Sequence, residues 1–138
     1  PPGTYLSRVP YFPQGISFKV SPVASMADTR AMGKPVVVNG GDIYVTAYQS
    51  RYGSAADIMT GVNQESVWSG IDFDKGTFNE QTRETREYYS KYLEACKADG
   101  MEVYLLEYTT DEKLIQKIKK YCKEKNFHFY ISNSLELQ

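Results

Sequence analysis

The sequence predicts an α/β fold built on a parallel sheet, and three observations carry that expectation. Segments of strand length recur near residues 36–38, 61–64, 102–108 and 127–131; the first, third and fourth are rich in apolar residues, and 61–64 carries Val62 with polar groups crowded at its end. Segments with apolar residues at helical spacing lie between the later runs. Glycines or capping residues separate one segment from the next. Alternation of strand and helix implies parallel strands joined by right-handed crossovers. Two architectures fit. One is a small doubly wound sheet. The other is part of a (β/α)8 barrel, which takes about 250 residues and at least about 200. With 138 residues, the chain has room for four of eight βα units.

Residues 1–24 read as an irregular lead-in. Pro1, Pro2, Pro10, Pro13 and Pro22 interrupt helices and central strands there. The folded unit is expected over 25–138. Residues 25–32 form a helix candidate stopped by Gly33. Val36-Val37-Val38 is an unbroken β-branched run, which predicts a strand buried on both faces. Asn39-Gly40-Gly41-Asp42 then turns the chain. Residues 43–48 are expected to be extended or the start of a loop, and 53–58 a short helix.

The second strand is expected over 61–64, followed by a loop. Thr77-Phe78-Asn79-Glu80 has the capping-box spacing, a threonine with glutamate three residues on. It predicts the start of a helix whose apolar face carries Tyr88, Tyr89, Tyr92, Leu93 and Cys96 and which stops at Gly100. The third strand spans 102–108. Thr109-Thr110-Asp111-Glu112 is a second capping-box candidate. The helix after it aligns Leu114, Ile115, Ile118, Tyr121 and Cys122 on one stripe and ends at Asn126. The last strand covers 127–131, and Ser132-Asn133-Ser134 turns away from it.

Composition narrows the function. The net charge is −1, so no basic field is available to hold a nucleic-acid backbone. No stretch reaches the roughly 18 apolar residues of a membrane span. Cys96 and Cys122 are too few for a disulfide scaffold and are expected as buried thiols. Aromatic residues make 14% of the chain, and twelve of them are tyrosines, a residue suited to sugar and peptide clefts. The sole histidine, His128, lies inside the last strand and is expected to be half-buried, which leaves little material for a catalytic triad or a histidine-rich metal site. Asn39-Gly40-Gly41-Asp42 lacks the pattern of a phosphate or dinucleotide loop. No cofactor and no metal are expected.

Function in either architecture collects at the C-terminal ends of the strands. Those ends are polar: Asn39 with Asp42, Asn63-Gln64-Glu65-Ser66, Glu107-Tyr108, and Ser132-Asn133-Ser134. Two carboxylates among them, Glu65 and Glu107, suit acid–base work or hydroxyl binding. Glu65, beside Val67 and Trp68, is the stronger candidate, since a charge next to apolar groups is tuned.

These segments are also similar to a known family. Val36-Val37-Val38-Asn39-Gly40-Gly41-Asp42, Gly61-Val62-Asn63-Gln64-Glu65-Ser66-Val67, Val103-Tyr104-Leu105-Leu106-Glu107-Tyr108-Thr109 and Tyr130-Ile131-Ser132 resemble, in order, the C-terminal half of the glycoside hydrolase family 114 barrel. That family includes endo-α-1,4-polygalactosaminidases. The resemblance implies an α/β fold of (β/α)8 TIM-barrel type, with this chain supplying about the last four βα units. It implies Glu65 as a catalytic acid in the strand-six motif. It also implies a polysaccharide substrate bound by Asn39, Asp42, Tyr44, Gln64, Glu107, Tyr108 and Ser132, and an extracellular or cell-surface location. The second acidic residue of the family belongs to a strand-four motif, and residues 1–24 contain no aspartate or glutamate. The chain alone is therefore expected to be inactive and to pair with another chain that completes the barrel. A non-catalytic carbohydrate-binding remnant and a small doubly wound ligand-binding domain are the alternatives.

Overall fold

The computed structural model describes residues 22–134. The expected lead-in lies outside the described residues up to position 21. The first helix begins within the rest of it. The elements run α1 (Pro22–Ala31), β1 (Val37–Asn39), α2 (Asp42–Tyr52), β2 (Gly61–Glu65), β3 (Ser69–Asp72), β4 (Thr77–Glu80), α3 (Arg83–Ala98), β5 (Glu102–Tyr108), α4 (Glu112–Lys125) and β6 (His128–Ser132). Proline opens α1, where a missing N–H costs no hydrogen bond.

β1, β2, β5 and β6 form one sheet in that spatial order, and every pairing is parallel. The order follows the chain without reversal. Among the described residues there is thus no switch point of the kind a doubly wound sheet uses to bind ligands. α2, α3 and α4 all pack on one face of the sheet, as crossovers of one hand require. Val38, Val62 and Val103 share a row on that face. They pack with Val45 of α2, Leu93 and Cys96 of α3, and Leu114, Ile118 and Cys122 of α4. Each such side chain contributes about 1.5–3 kcal/mol when fully removed from water. Both cysteines are free thiols in this core, and burial pushes them up to about 11 for Cys96 and about 12 for Cys122.

Among the described residues, no helix covers the opposite face, called the open face below. Asn39, Asn63, Tyr104 and His128 share one of its rows, and Glu65, Leu106 and Tyr130 the next. These side chains are half-buried or exposed. The valine run of β1 shows the asymmetry: Val36 and Val38 are buried, whereas Val37 on the open face is only half-buried. Expected burial on both faces is therefore met on one.

Three local expectations are corrected. Residues 43–48 are helical, not extended, within α2. Gly41 enters the helix with φ 75°, and Asp42 places its charge at the positive end of the helix dipole. Burial of Val45 overrides the strand preference of Ile43, Tyr44 and Val45. Residues 53–58 make only a turn, closed by Ile58 and Met59 N–H groups on the Ala55 carbonyl. Thr77-Phe78-Asn79-Glu80 is strand β4 and no helix start, because it pairs antiparallel with β3, which the sequence reading leaves as loop. Asp72 Oδ1 accepts from the N–H groups of Asp74 and Lys75, and Gly76 takes φ 65°; this turn brings Thr77 opposite Asp72. α3 begins six residues later, with Thr82 Oγ1 accepting from Thr85 N–H. Asp111, not Thr109, caps α4, through its bond from Lys113 N–H.

Gly61 lies tightly against Glu102 at the start of the β2–β5 ladder. A Cβ there would stand 2.7 Å from the Glu102 carbonyl oxygen, a backbone atom that cannot swing aside. Gly61→Ala is expected to destabilise the fold by roughly 1–3 kcal/mol, the usual cost of overpacking. A lowered urea midpoint at unchanged m-value is the expected measurement.

Candidate active site at the strand ends

β2 delivers Glu65 to its C-terminal end, and β5 delivers Tyr108 beside it. The two strands are in register from Gly61 with Glu102 to Glu65 with Leu106, so Tyr108 extends two residues beyond Glu65's partner. Both residues fall on the open face by the two-residue period of the strands. The Tyr108 hydroxyl donates to Glu65 Oε1 at 2.6 Å. Burial, with this bond to Glu65 adding to it, pushes the phenol above its ordinary range. One row deeper, Asn63 Nδ2 donates to Asn39 Oδ1 at 2.7 Å. Phe78 of the β3–β4 hairpin approaches the same place, its ring 6.3 Å from that of Tyr108. A carboxylate, a phenol, an amide pair and an aromatic ring thus converge at one end of the sheet.

Glu107 is turned the other way. It is fully buried on the helix side. Oε1 accepts from Ser69 Oγ at 2.8 Å and Ser69 N–H at 3.1 Å, and Oε2 accepts from Trp68 N–H at 3.0 Å. Burial pushes its carboxyl up to about 7, against the opposing pull of these donors. Gln64 is also buried on the helix side, its Nε2 donating to the Glu65 carbonyl.

The remaining predicted residues are spread around this centre. Asp42, in the first turn of α2, accepts from the Tyr88 hydroxyl. Tyr44 packs against the core, and burial first, then Tyr48 and Tyr52, push it up to about 12. Ser132 closes a turn at the end of β6, its hydroxyl donating to the Ser134 carbonyl at 2.6 Å. Glu65 and Tyr108 are therefore joined directly, with Asn39 in the adjoining row. Glu107 and Gln64 point to the opposite face.

The apolar neighbours expected around Glu65 also turn away from it. Val67 enters the core, and the Trp68 ring packs on Tyr121 of α4, 5.3 Å between centroids, with the Arg86 guanidinium 4.9 Å above it. His128 is exposed instead of half-buried: it stacks on Tyr104 at 4.7 Å and meets Glu102 at 3.3 Å. The sequence reading misses Ser69 and Phe78, because both depend on the hairpin. Asn63 lies two residues before Glu65, and the period-two alternation of a strand puts both on one face.

No protein-family model matches the chain. No curated protein matches it in sequence. Among solved structures, the glycoside hydrolase domain of PelA from Pseudomonas aeruginosa superimposes with a TM-score of 0.59 at 18% identity. The match covers 80% of this chain and 43% of that one. The fold is shared with part of a glycoside hydrolase domain. The chain spans less than half the length of that neighbour, and at this identity the likeness is one of fold.

The Glu107 cluster gives a pH prediction. A carboxyl raised from 4.5 to about 7 holds its proton more tightly in the folded state than in the unfolded one. Its contribution is therefore fully present below about pH 4.5 and is lost as pH rises to about 7. The loss has an upper bound of about 3 kcal/mol at 1.36 kcal/mol per unit. Urea midpoints between pH 4.5 and 7.5 should show this fall, and Glu107→Gln should flatten it.

Proposed function

We propose that this chain is the C-terminal half of a (β/α)8 barrel of glycoside hydrolase type, acting on a galactosamine-containing polysaccharide. The observation that carries the reading is the Glu65–Tyr108 pair at the C-terminal ends of adjacent parallel strands, on the open face. The fold shared with part of a glycoside hydrolase domain supports it, as does the order of the four strand-end motifs. The chain-ordered sheet favours a barrel over the doubly wound alternative.

In this reading Glu65 gives its proton to the glycosidic oxygen as the bond from that oxygen to the anomeric carbon breaks. Water supplies the hydroxyl that replaces it on the anomeric carbon and the proton that restores Glu65. Tyr108 holds one carboxyl oxygen of Glu65 and leaves the other toward substrate. Asn39 and Asn63 offer hydrogen bonds to hydroxyls, and Phe78 offers a stacking face. Cleavage needs a second carboxyl group about 5–9.5 Å from the first. Glu107 does not supply it, because its oxygens are buried on the other face. The second carboxylate belongs to the half of the barrel that completes the open face, and the location of such an enzyme is extracellular or at the cell surface.

In the complete enzyme, Glu65→Gln should retain the fold and sugar binding yet lose at least about a hundredfold in rate, the scale of a lost general acid. The measurement is hydrolysis of an α-1,4 polymer containing galactosamine. Equal rates would remove Glu65 from the chemistry. Binding without turnover in both proteins would favour the carbohydrate-binding remnant.

The open face and the two sheet edges generate a further expectation for the 138-residue chain alone. Uncovered strands and apolar surface drive association. Light scattering should detect oligomers or aggregates as concentration rises. A compact monomer at high concentration would count against the half-barrel reading.

A further inference from the structure

We infer that Glu107 is a positioning residue, which from the helix side of the sheet holds Glu65 and Tyr108 in their mutual geometry. The inference rests on the hydrolase reading of Glu65 and assigns a function to a carboxylate that does not reach the open face.

Glu107 and Tyr108 are consecutive in β5, so their side chains leave the strand on opposite faces. Glu107 is 0% exposed, and three donors from Trp68 and Ser69 converge on it. Ser69 Oγ donates to Glu107 and accepts from the Tyr108 N–H at 2.9 Å. One hydroxyl therefore connects the buried carboxylate to the backbone of the residue that hydrogen-bonds Glu65. The same segment is fastened at its start, where Ser66 N–H donates to the Leu106 carbonyl at 3.0 Å. Gln81 Nε2 donates to the Ser66 carbonyl at 3.1 Å.

Ser66 follows Glu65 directly and has φ 58°, a left-handed conformation that serine keeps only where its surroundings hold it. Release of the 66–69 segment would let Ser66 relax and swing Glu65 away from Tyr108. A carboxyl group suits this anchor because donors meet both of its oxygens, Trp68 N–H at Oε2 and Ser69 at Oε1. Glutamine would turn an NH2 group toward an N–H donor and leave that donor buried without a partner.

The test is steady-state hydrolysis by the complete enzyme, carrying Glu107→Gln, Ser69→Ala and Tyr108→Phe singly and in pairs. Glu107→Gln is expected to lower kcat by about ten- to a hundredfold, the scale of a misplaced catalytic group, with KM changed by no more than about threefold. Ser69→Ala keeps the carboxylate and removes only the bridge to Tyr108; it should lower kcat by about three- to tenfold. Glu107→Gln with Tyr108→Phe should lose no more than the worse single variant, because both act through one geometry. Glu102→Gln, at the far end of β5, should leave the rate unchanged.

Multiplying losses in the double variant, or a loss confined to KM, would overturn the positioning role. If Glu107→Gln does not fold, Ser69→Ala decides, and an unchanged kcat overturns the proposal. Glu65→Gln in the same assay separates the two failures. An inactive Glu65→Gln beside multiplying losses removes only the role of Glu107. A fully active Glu65→Gln removes the hydrolase reading and this inference with it.

Discussion

β2 and β5 pair over five residues, Gly61 to Glu65 against Glu102 to Leu106, and the rest of the candidate site depends on that register. In a parallel ladder a one-residue slip sends every side chain to the other face. Such a slip of β2 would move Glu65 to the helix side and bring Gln64 to the open face. The burial of Val62, Val103 and Leu105 against three helices prevents it, since a slip would expose apolar groups to water. Gly61 allows the backbones to meet closely at the start of the ladder. The core thereby fixes the face on which Glu65 and Tyr108 meet.

The two faces of the sheet divide the polar residues by role. On the helix side, Glu107 and Ser69 form a buried network in which hydrogen bonds at both carboxyl oxygens offset part of the cost of desolvation. On the open side, the carboxylate of Glu65 bonds Tyr108 from a half-buried position at the strand end. The β3–β4 hairpin touches both systems. Its first residue is Ser69, and it carries Phe78 to within 6.3 Å of the Tyr108 ring. An insertion between a strand and its crossover helix is the usual place for a fold to vary its function, because loops tolerate additions that the core does not.

The fold is shared with part of a glycoside hydrolase domain, and among the described residues no helix covers one face of the parallel sheet. Leu106, Tyr104 and Tyr130 stand on that face among Asn39, Asn63 and His128. The face thus mixes packing residues with hydrogen-bonding ones. Fold alone assigns no substrate. The assignment proposed above rests on Glu65 and the groups that surround it.

Much of the architecture is legible in the sequence by itself. The four strands, their parallel sense and the apolar stripes of α3 and α4 follow from periodicity and from the length of the runs. The places of Glu65 and Tyr108 at strand ends are also legible there. Tertiary structure alone decided the rest. Ile43, Tyr44 and Val45 have strand preferences, yet the burial of Val45 keeps them helical. Thr77 to Glu80 carries a helix-capping pattern, yet pairing with β3 claims its backbone. Glu107 and Glu65 are both glutamates near strand ends, and only the parity of each position in its strand, combined with which face the helices cover, sends one into the core and the other to the open cleft. Local sequence encodes propensity and period. Which partner occupies each face depends on distant residues, since strand partners lie 24 positions apart for Val37 and Gly61 and 41 apart for Gly61 and Glu102, and no short window contains them.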